Sequence, residues 1–339
     1  MPRTVKEEIL EPDLPICDPH HHLWHFPAPI EPFPETRYLL DELLADIGVG
    51  KGGHNVQSTV FVECTAFYRA HGPVPMRMVG ETEFVAGVAA MADSERYGPV
   101  RACEAIVGRA DLTLGGDVDA VLKAHIAASG GRFRGIRHAG GWDADPAVGN
   151  SHTNPTEHLY LEPKFREGFA RLAPNGLSFE AWQYHTQLPD LLDLARAFPE
   201  TKIMLDHIGG PLGIGPYAGR RDEVFQTWSR DIRDLAECPN VWVKLGGLGM
   251  VTYGFDHHTR EVLPGSEELA AAWKPYLEVC IEAFGVRRGL FESNFPVDKV
   301  SCSYEALWNA FKRVAAGASA AEKARLFKDS AREFYRMDG

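Results

Sequence analysis

The sequence lacks any close pairing of its cysteines. Cys17, Cys64, Cys103, Cys238, Cys280 and Cys302 are scattered along 339 residues with no C-x-x-C spacing. That argues against a disulfide framework or a cysteine zinc site and fits reduced thiols in a cytoplasmic enzyme. Long apolar runs are missing too, and none approaches the roughly 18 residues a spanning helix needs. The N-terminal segment MPRTVKEEILEPDLP has no apolar core and no small-residue cleavage site, so no signal peptide is expected. Basic excess is absent: the formal net charge is −12, which excludes partners that demand a basic surface, nucleic acid and anionic membrane among them. An acidic chain that binds a small anion must place arginines locally. No linker-like stretch and no solenoid-period repeat appears, so residues 1–339 read as one domain. With 45% hydrophobic and 24% charged residues, the chain can bury a sizeable core.

What is present is a recurring unit, a short apolar run followed by a helical pattern. Strands are predicted at 15–21, 56–64, 104–110, 133–138, 177–182, 202–207, 241–245 and 288–292, with helices at 117–129, 188–198, 267–284, 304–315 and 320–337. Strands alternating with amphipathic helices make a parallel sheet. A doubly wound open sheet usually carries a Gly-rich phosphate turn after its first strand. Here that strand ends in Asp18-Pro19-His20-His21-His22. The expected fold is therefore an α/β (β/α)8 TIM barrel, distorted, with long strand-to-helix loops at 22–37, 139–162, 209–219 and 246–265. Such loops build the pocket of a barrel enzyme.

Residues two apart on a strand share a face. His20 and His22 should then project together at the barrel mouth, where two imidazoles can share a cation, while His21 faces away. The sixth strand ends in Asp206-His207 followed by glycines, and His185 follows the fifth in similar fashion. Arginine binds carboxylates bidentately, so Arg69 and Arg137 are candidates to hold an anionic substrate beside Glu63 and Tyr184. Either arginine could equally neutralise Glu63 or a nearby aspartate. The eighth strand runs out through Asn294 toward Asp298.

The motifs DPHHHLW, FRGIRH, MLDHIGGP, VWVKLGGLG and FESNFPVD, with the ending LFKDSAREFYRM, resemble the amidohydrolase superfamily, in its amidohydrolase-related ("amidohydrolase 2") branch. They span the chain from about Ile16 to Met337. The resemblance implies a distorted TIM barrel similar to sugar-acid lactonases and pyrone dicarboxylate hydrolase. It implies a divalent metal, zinc by expectation, on His20, His22 and His185, with activity without metal left open. It makes His207, Asn294 and His185 the catalytic candidates. The family carries an aspartate where this chain has Asn294, so the base falls to Asp298, Glu63 or His207, or the metal's water needs little help, or the metal is weakly held. The expected reaction is the opening of a small, carboxylate-bearing lactone by water. Decarboxylation or hydration of an organic acid is the alternative, and a catalytically dead binding barrel the third reading. A homo-oligomer is left open.

Overall fold

The computed structural model describes residues 2–337. Eight parallel strands follow one another around a sheet in chain order: β1 (Ile16–His21), β2 (Val56–Val62), β3 (Arg101–Arg109), β4 (Phe133–Arg137), β5 (Ser178–Ala181), β6 (Ile203–Leu205), β7 (Val241–Leu245) and β8 (Gly289–Phe291). The seam between first and last strand closes just beyond β8. There the His22 N–H donates to the Phe295 carbonyl at 2.8 Å and the Asn294 N–H to the His20 carbonyl at 2.9 Å. The result is a (β/α)8 barrel.

Eight helices pack outside or between these strands: α1 (Leu40–Ile47), α2 (Val79–Asp93), α3 (Val118–Ala128), α4 (Pro163–Phe169), α5 (Leu188–Ala197), α6 (Arg221–Ala236), α7 (Ser266–Phe284) and α8 (Tyr304–Val314). Helices α1, α2, α4 and α6 have no counterpart among those predicted from the sequence. Helix α6 shows why such a segment folds: Val224, Trp228, Ile232 and Leu235 recur every three or four residues and are all buried, while the rest is strongly polar. Helix α8 starts where the Ser303 hydroxyl accepts the Ala306 N–H at 3.1 Å. The expected helix at 320–337 forms as one unbroken helical run over 320–335. A wide turn at Arg325–Asp329 joins α9 (Ala320–Ala324) to α10 (Ser330–Tyr335) and buries Leu326 and Phe327.

Two apolar layers result. The larger lies between strands and helices and includes Phe61, Ile106, Phe179, Leu205 and Phe291. The smaller fills the barrel's interior with Cys17, Val60, Val62, Ala105, Val107, Met204, Trp242 and Leu290, and Phe334, Tyr335 and Met337 of the C-terminal segment close it from below. Among the described residues no helix is long and apolar enough to cross a membrane.

Candidate metal and active site

The site is the upward continuation of the interior layer. Because side chains alternate along a strand, two residues beyond Val107, Met204, Trp242 and Leu290 come Arg109, Asp206, Lys244 and Glu292. On β1 a register shift between Asp18 and His21 resets the phase. His21 is thereby left outside, its Nε2 2.8 Å from Thr59 Oγ1, and His20 turns inward.

His20 sits at the centre. Its Nε2 lies 3.3 Å from His22 Nε2, and its Nδ1 lies 2.8 Å from Glu292 Oε2 and 3.1 Å from Lys244 Nζ. His22 Nδ1 donates to the Val62 carbonyl at 2.8 Å, which leaves its Nε2 as an acceptor. Glu292 also takes His207, with Nδ1 2.6 Å from Oε1. Beneath them Lys244 bridges Glu180 at 2.5 Å and Asp206 at 3.1 Å. Arg137 reaches Glu63 at 2.8 Å and Asp206 at 3.4 Å.

The backbone here is strained. His207, Ile208 and Asn294 hold φ of 53°, 50° and 54°, a left-handed conformation disfavoured for side-chain-bearing residues and above all for a β-branched one. Surrounding bonds fix it: Trp228 Nε1 donates to the Ile208 carbonyl at 2.7 Å, and the Tyr253 hydroxyl to that of His207. Gly247 makes the turn of His207 possible, since a Cβ there would fall 2.5 Å from His207 Nδ1.

Burial governs the electrostatics. It lowers His20 to about 4, with Lys244 adding to the effect, and holds His22 well below its ordinary value. Burial alone would raise Glu292, but His207 and His20 outweigh it and keep the carboxylate ionised. Glu180 goes the other way, pushed up to about 8 by burial against the pull of Lys244. Four fully buried carboxylates, Glu63, Glu180, Asp206 and Glu292, thus face two buried cations, Arg137 and Lys244. Among these six groups the negative excess is two, or one when Glu180 carries its proton; Arg109, at the lip above them, also acts on Glu63. Buried unpaired charge is costly, so this imbalance suits a divalent cation. The donor set agrees. His20, His207 and Glu292 are buried, and their donor atoms lie within 4.8 Å of one another, close enough to hold a divalent metal ion. The His20–His22 separation also matches a tetrahedron edge, about 3.3–3.4 Å for metal–nitrogen bonds of about 2.0–2.1 Å. Glu292 Oε2 and Asn294 Oδ1 are buried with no aligned donor.

The remaining expected site residues are placed differently. Arg69 lies on the surface, its guanidinium turned outward to Glu83. Arg137 is in the interior but engaged by Glu63 and Asp206. His185 is not in the His20–His207–Glu292 group; it opens the short turn 185–187 that leads into α5. Its Nδ1 accepts the Leu212 N–H at 3.4 Å, and its ring meets Tyr217 edge-on. Tyr184 donates to the Gly149 carbonyl at 3.1 Å. Asn294 donates its amide to Asp298 Oδ1 at 2.8 Å, so its carbonyl oxygen, not its NH2, is the free group. Asp298, pushed up to about 7 by burial against the Gly249 N–H, fixes that orientation. Glu292 was passed over in sequence, although its alternation with Leu290 was the available signal.

A family model described as amidohydrolase matches residues 17–337. The chain belongs to the amidohydrolase family. This amidohydrolase is 34% identical to uncharacterized protein y4mH of Sinorhizobium fredii, over 96% of this chain and 99% of that one. It is 30% identical to an L-fucono-1,5-lactonase of Burkholderia ambifaria, over 69% of this chain and 71% of that one. Among solved structures it superposes on a zinc-bound amidohydrolase from Burkholderia multivorans with a TM-score of 0.70 at 23% identity, covering 95% of this chain and 99% of that one. It is an enzyme of the amidohydrolase hydrolase type and acts on a small molecule.

Proposed function

We propose that this amidohydrolase opens a small, carboxylate-bearing lactone by attack of water at the His20–His207–Glu292 centre. The observation that carries the reading is the Glu292 carboxylate holding His207 Nδ1 at 2.6 Å in a buried, cation-deficient pocket. With Nδ1–H donated to Glu292, His207 presents Nε2 as a lone pair able to take the proton of attacking water. His20 and His22 would hold the metal through their facing Nε2 atoms, and zinc fits nitrogen donors at this spacing. When bound, the cation supplies a Lewis acid for the ester carbonyl and lowers the pKa of water to about 7. Asn294 Oδ1, neutral and oriented by Asp298, accepts a hydrogen bond from the same water. Trp182, edge-on to the His207 ring at 5.0 Å, shields the centre from bulk solvent. Relatives named as lactonases support this chemistry.

A panel of lactones followed with a pH indicator tests the reaction class. Acid release that disappears with chelator and returns with zinc is the expected result. Proton consumption with organic acids would mean decarboxylation instead, and a flat trace across both panels a binding protein.

A further inference from the structure

Of the two arginines expected to read the substrate's charge, Arg69 is turned to Glu83 on the surface and Arg137 is held by Glu63 in the interior. Another stands at the lip of the barrel. Arg109 is the last residue of β3 and pairs in register with Arg137 on β4, so both side chains leave the sheet on its inner face, above Val107 and Ala105. Arg137 is consumed by Glu63 and Asp206, whereas Arg109 is not. Among the described residues it forms no ion pair, and its buried Nε has no hydrogen-bond partner. Beside it lie two more buried polar atoms without an aligned partner, Tyr68 Oη and Glu63 Oε2; Tyr68 also feels the Glu63 charge and is close enough to Arg109 to accept a hydrogen bond from it, which leaves its own O–H to donate. Other groups bordering this spot are engaged: His152 pairs with Glu63 Oε1 at 3.0 Å, and His138 Nδ1 accepts the Leu112 N–H at 3.2 Å.

This corner is built rigidly. The loop that carries Tyr68 turns through left-handed φ at Thr65 and Phe67, 64° and 57°. It is pinned by the buried Glu81 carboxylate, which accepts the N–H groups of Cys64 at 3.0 Å and Ala66 at 2.8 Å. Three unsatisfied groups on a fixed frame, two donors and one acceptor, describe a complementary ligand: an anionic oxygen pair next to a hydroxyl.

We infer that Arg109 and Tyr68 receive a free carboxylate of the substrate while Glu63 Oε2 accepts an adjacent substrate hydroxyl. Resting on the lactonase reading above, this specifies the substrate as the lactone of a hydroxylated diacid, with one acid group closed in the ring and the other left ionised. Arg137 faces the Glu63 carboxylate at 2.8 Å, so the incoming carboxylate meets Arg109 as its counter-ion.

The test compares glucarolactone, which keeps a free carboxylate, with gluconolactone, which does not. The native enzyme is expected to prefer the first, and Arg109→Gln to shrink that preference about ten- to hundredfold, the range of a lost charged-group hydrogen bond, through KM rather than kcat. Arg109→Lys should recover part of the loss. A preference unaltered in Arg109→Gln overturns the assignment. Calorimetric binding of glucarate to the native protein and to Arg109→Gln reads the subsite without turnover. Glucarate bound tenfold or more weakly by the variant sustains the subsite even if neither lactone is opened, which would count against the lactonase reading alone. Equal affinity in both proteins, or no binding to the native protein at millimolar glucarate, sinks the subsite itself.

Discussion

The floor and the mouth of the barrel are built from the same eight strands, a few ångströms apart, yet obey opposite rules. At the floor Val107, Met204, Trp242 and Leu290 interlock with Phe334 and Tyr335. Two residues further along the same strands, Arg109, Asp206, Lys244 and Glu292 replace them. Below, stability comes from apolar area and close packing. Above, it comes from matched charges that are costly whenever one is removed. The same inward alternation therefore yields a plug at one end and a reactive centre at the other, and mutations at the two ends should separate cleanly in what they change.

The largest effect is expected where the layers meet. Lys244 is fully buried and serves Glu180, Asp206 and His20 together. Lys244→Met removes the cation and leaves the carboxylates facing one another, for a loss of about 3–5 kcal/mol in urea unfolding. Retention of native stability would show that Glu180 and Asp206 absorb protons at no cost and that the charge accounting is wrong.

The next pair sharpens the contrast directly. Leu290→Ala at the floor should cost about 2–5 kcal/mol of stability while leaving kcat per folded molecule near native. His207→Ala at the mouth should lower kcat about 10²–10⁴-fold with unfolding still cooperative. Metal analysis of His207→Ala beside His22→Ala then decides the donor set. Metal lost only in His22→Ala supports the facing Nε2 pair, and metal lost only in His207→Ala assigns the ion to His20, His207 and Glu292.

Asn294→Asp probes a finer distinction. The new carboxylate would face Asp298 Oδ1 at the 2.8 Å now spanned by an N–H donor, so the two acids must share a proton or separate. A fall of about ten- to hundredfold in kcat/KM at neutral pH is expected, for loss of the oriented carbonyl. Activity kept or raised, with tighter metal, would show that a carboxylate is welcome there.

The smallest effect concerns acid stability away from the centre. Burial holds His125 at about 4 and His54 at about 3, against an ordinary 6.5, the latter with help from Lys312. Both are neutral when folded and take up protons when unfolded. Their contribution is complete above about pH 6.5 and is lost as pH falls toward 4. Double replacement, His54→Gln with His125→Gln, should flatten the decline of Tm over that window; an unchanged slope would place the acid sensitivity elsewhere.

The barrel was legible because hydrophobic periodicity is local. The runs ending in His20, Arg137 and Lys244 announce strands, and the strand–helix alternation leaves few ways to connect them. The His20–His22 pairing was readable for the same reason, since it needs only the alternation of one strand. Arg69 misled because it follows β2 closely, but the loop's left-handed turns aim it at Glu83, and nothing local encodes that direction. His185 opens the turn into α5 and meets Leu212 and Tyr217 from the loop after β6, contacts that no single segment contains. Glu292 was hidden in plain view. Its side follows from Leu290, whereas its meaning depends on His207, 85 residues earlier, and on His20 arriving from the first strand. The amino-acid order alone determined which residues share a face of a strand. Which inward residues meet, how their charges balance and which arginine stays free were decided only when the barrel closed, because closure brings the ends of β1, β6 and β8 to one buried point where each charge fixes the state of the others.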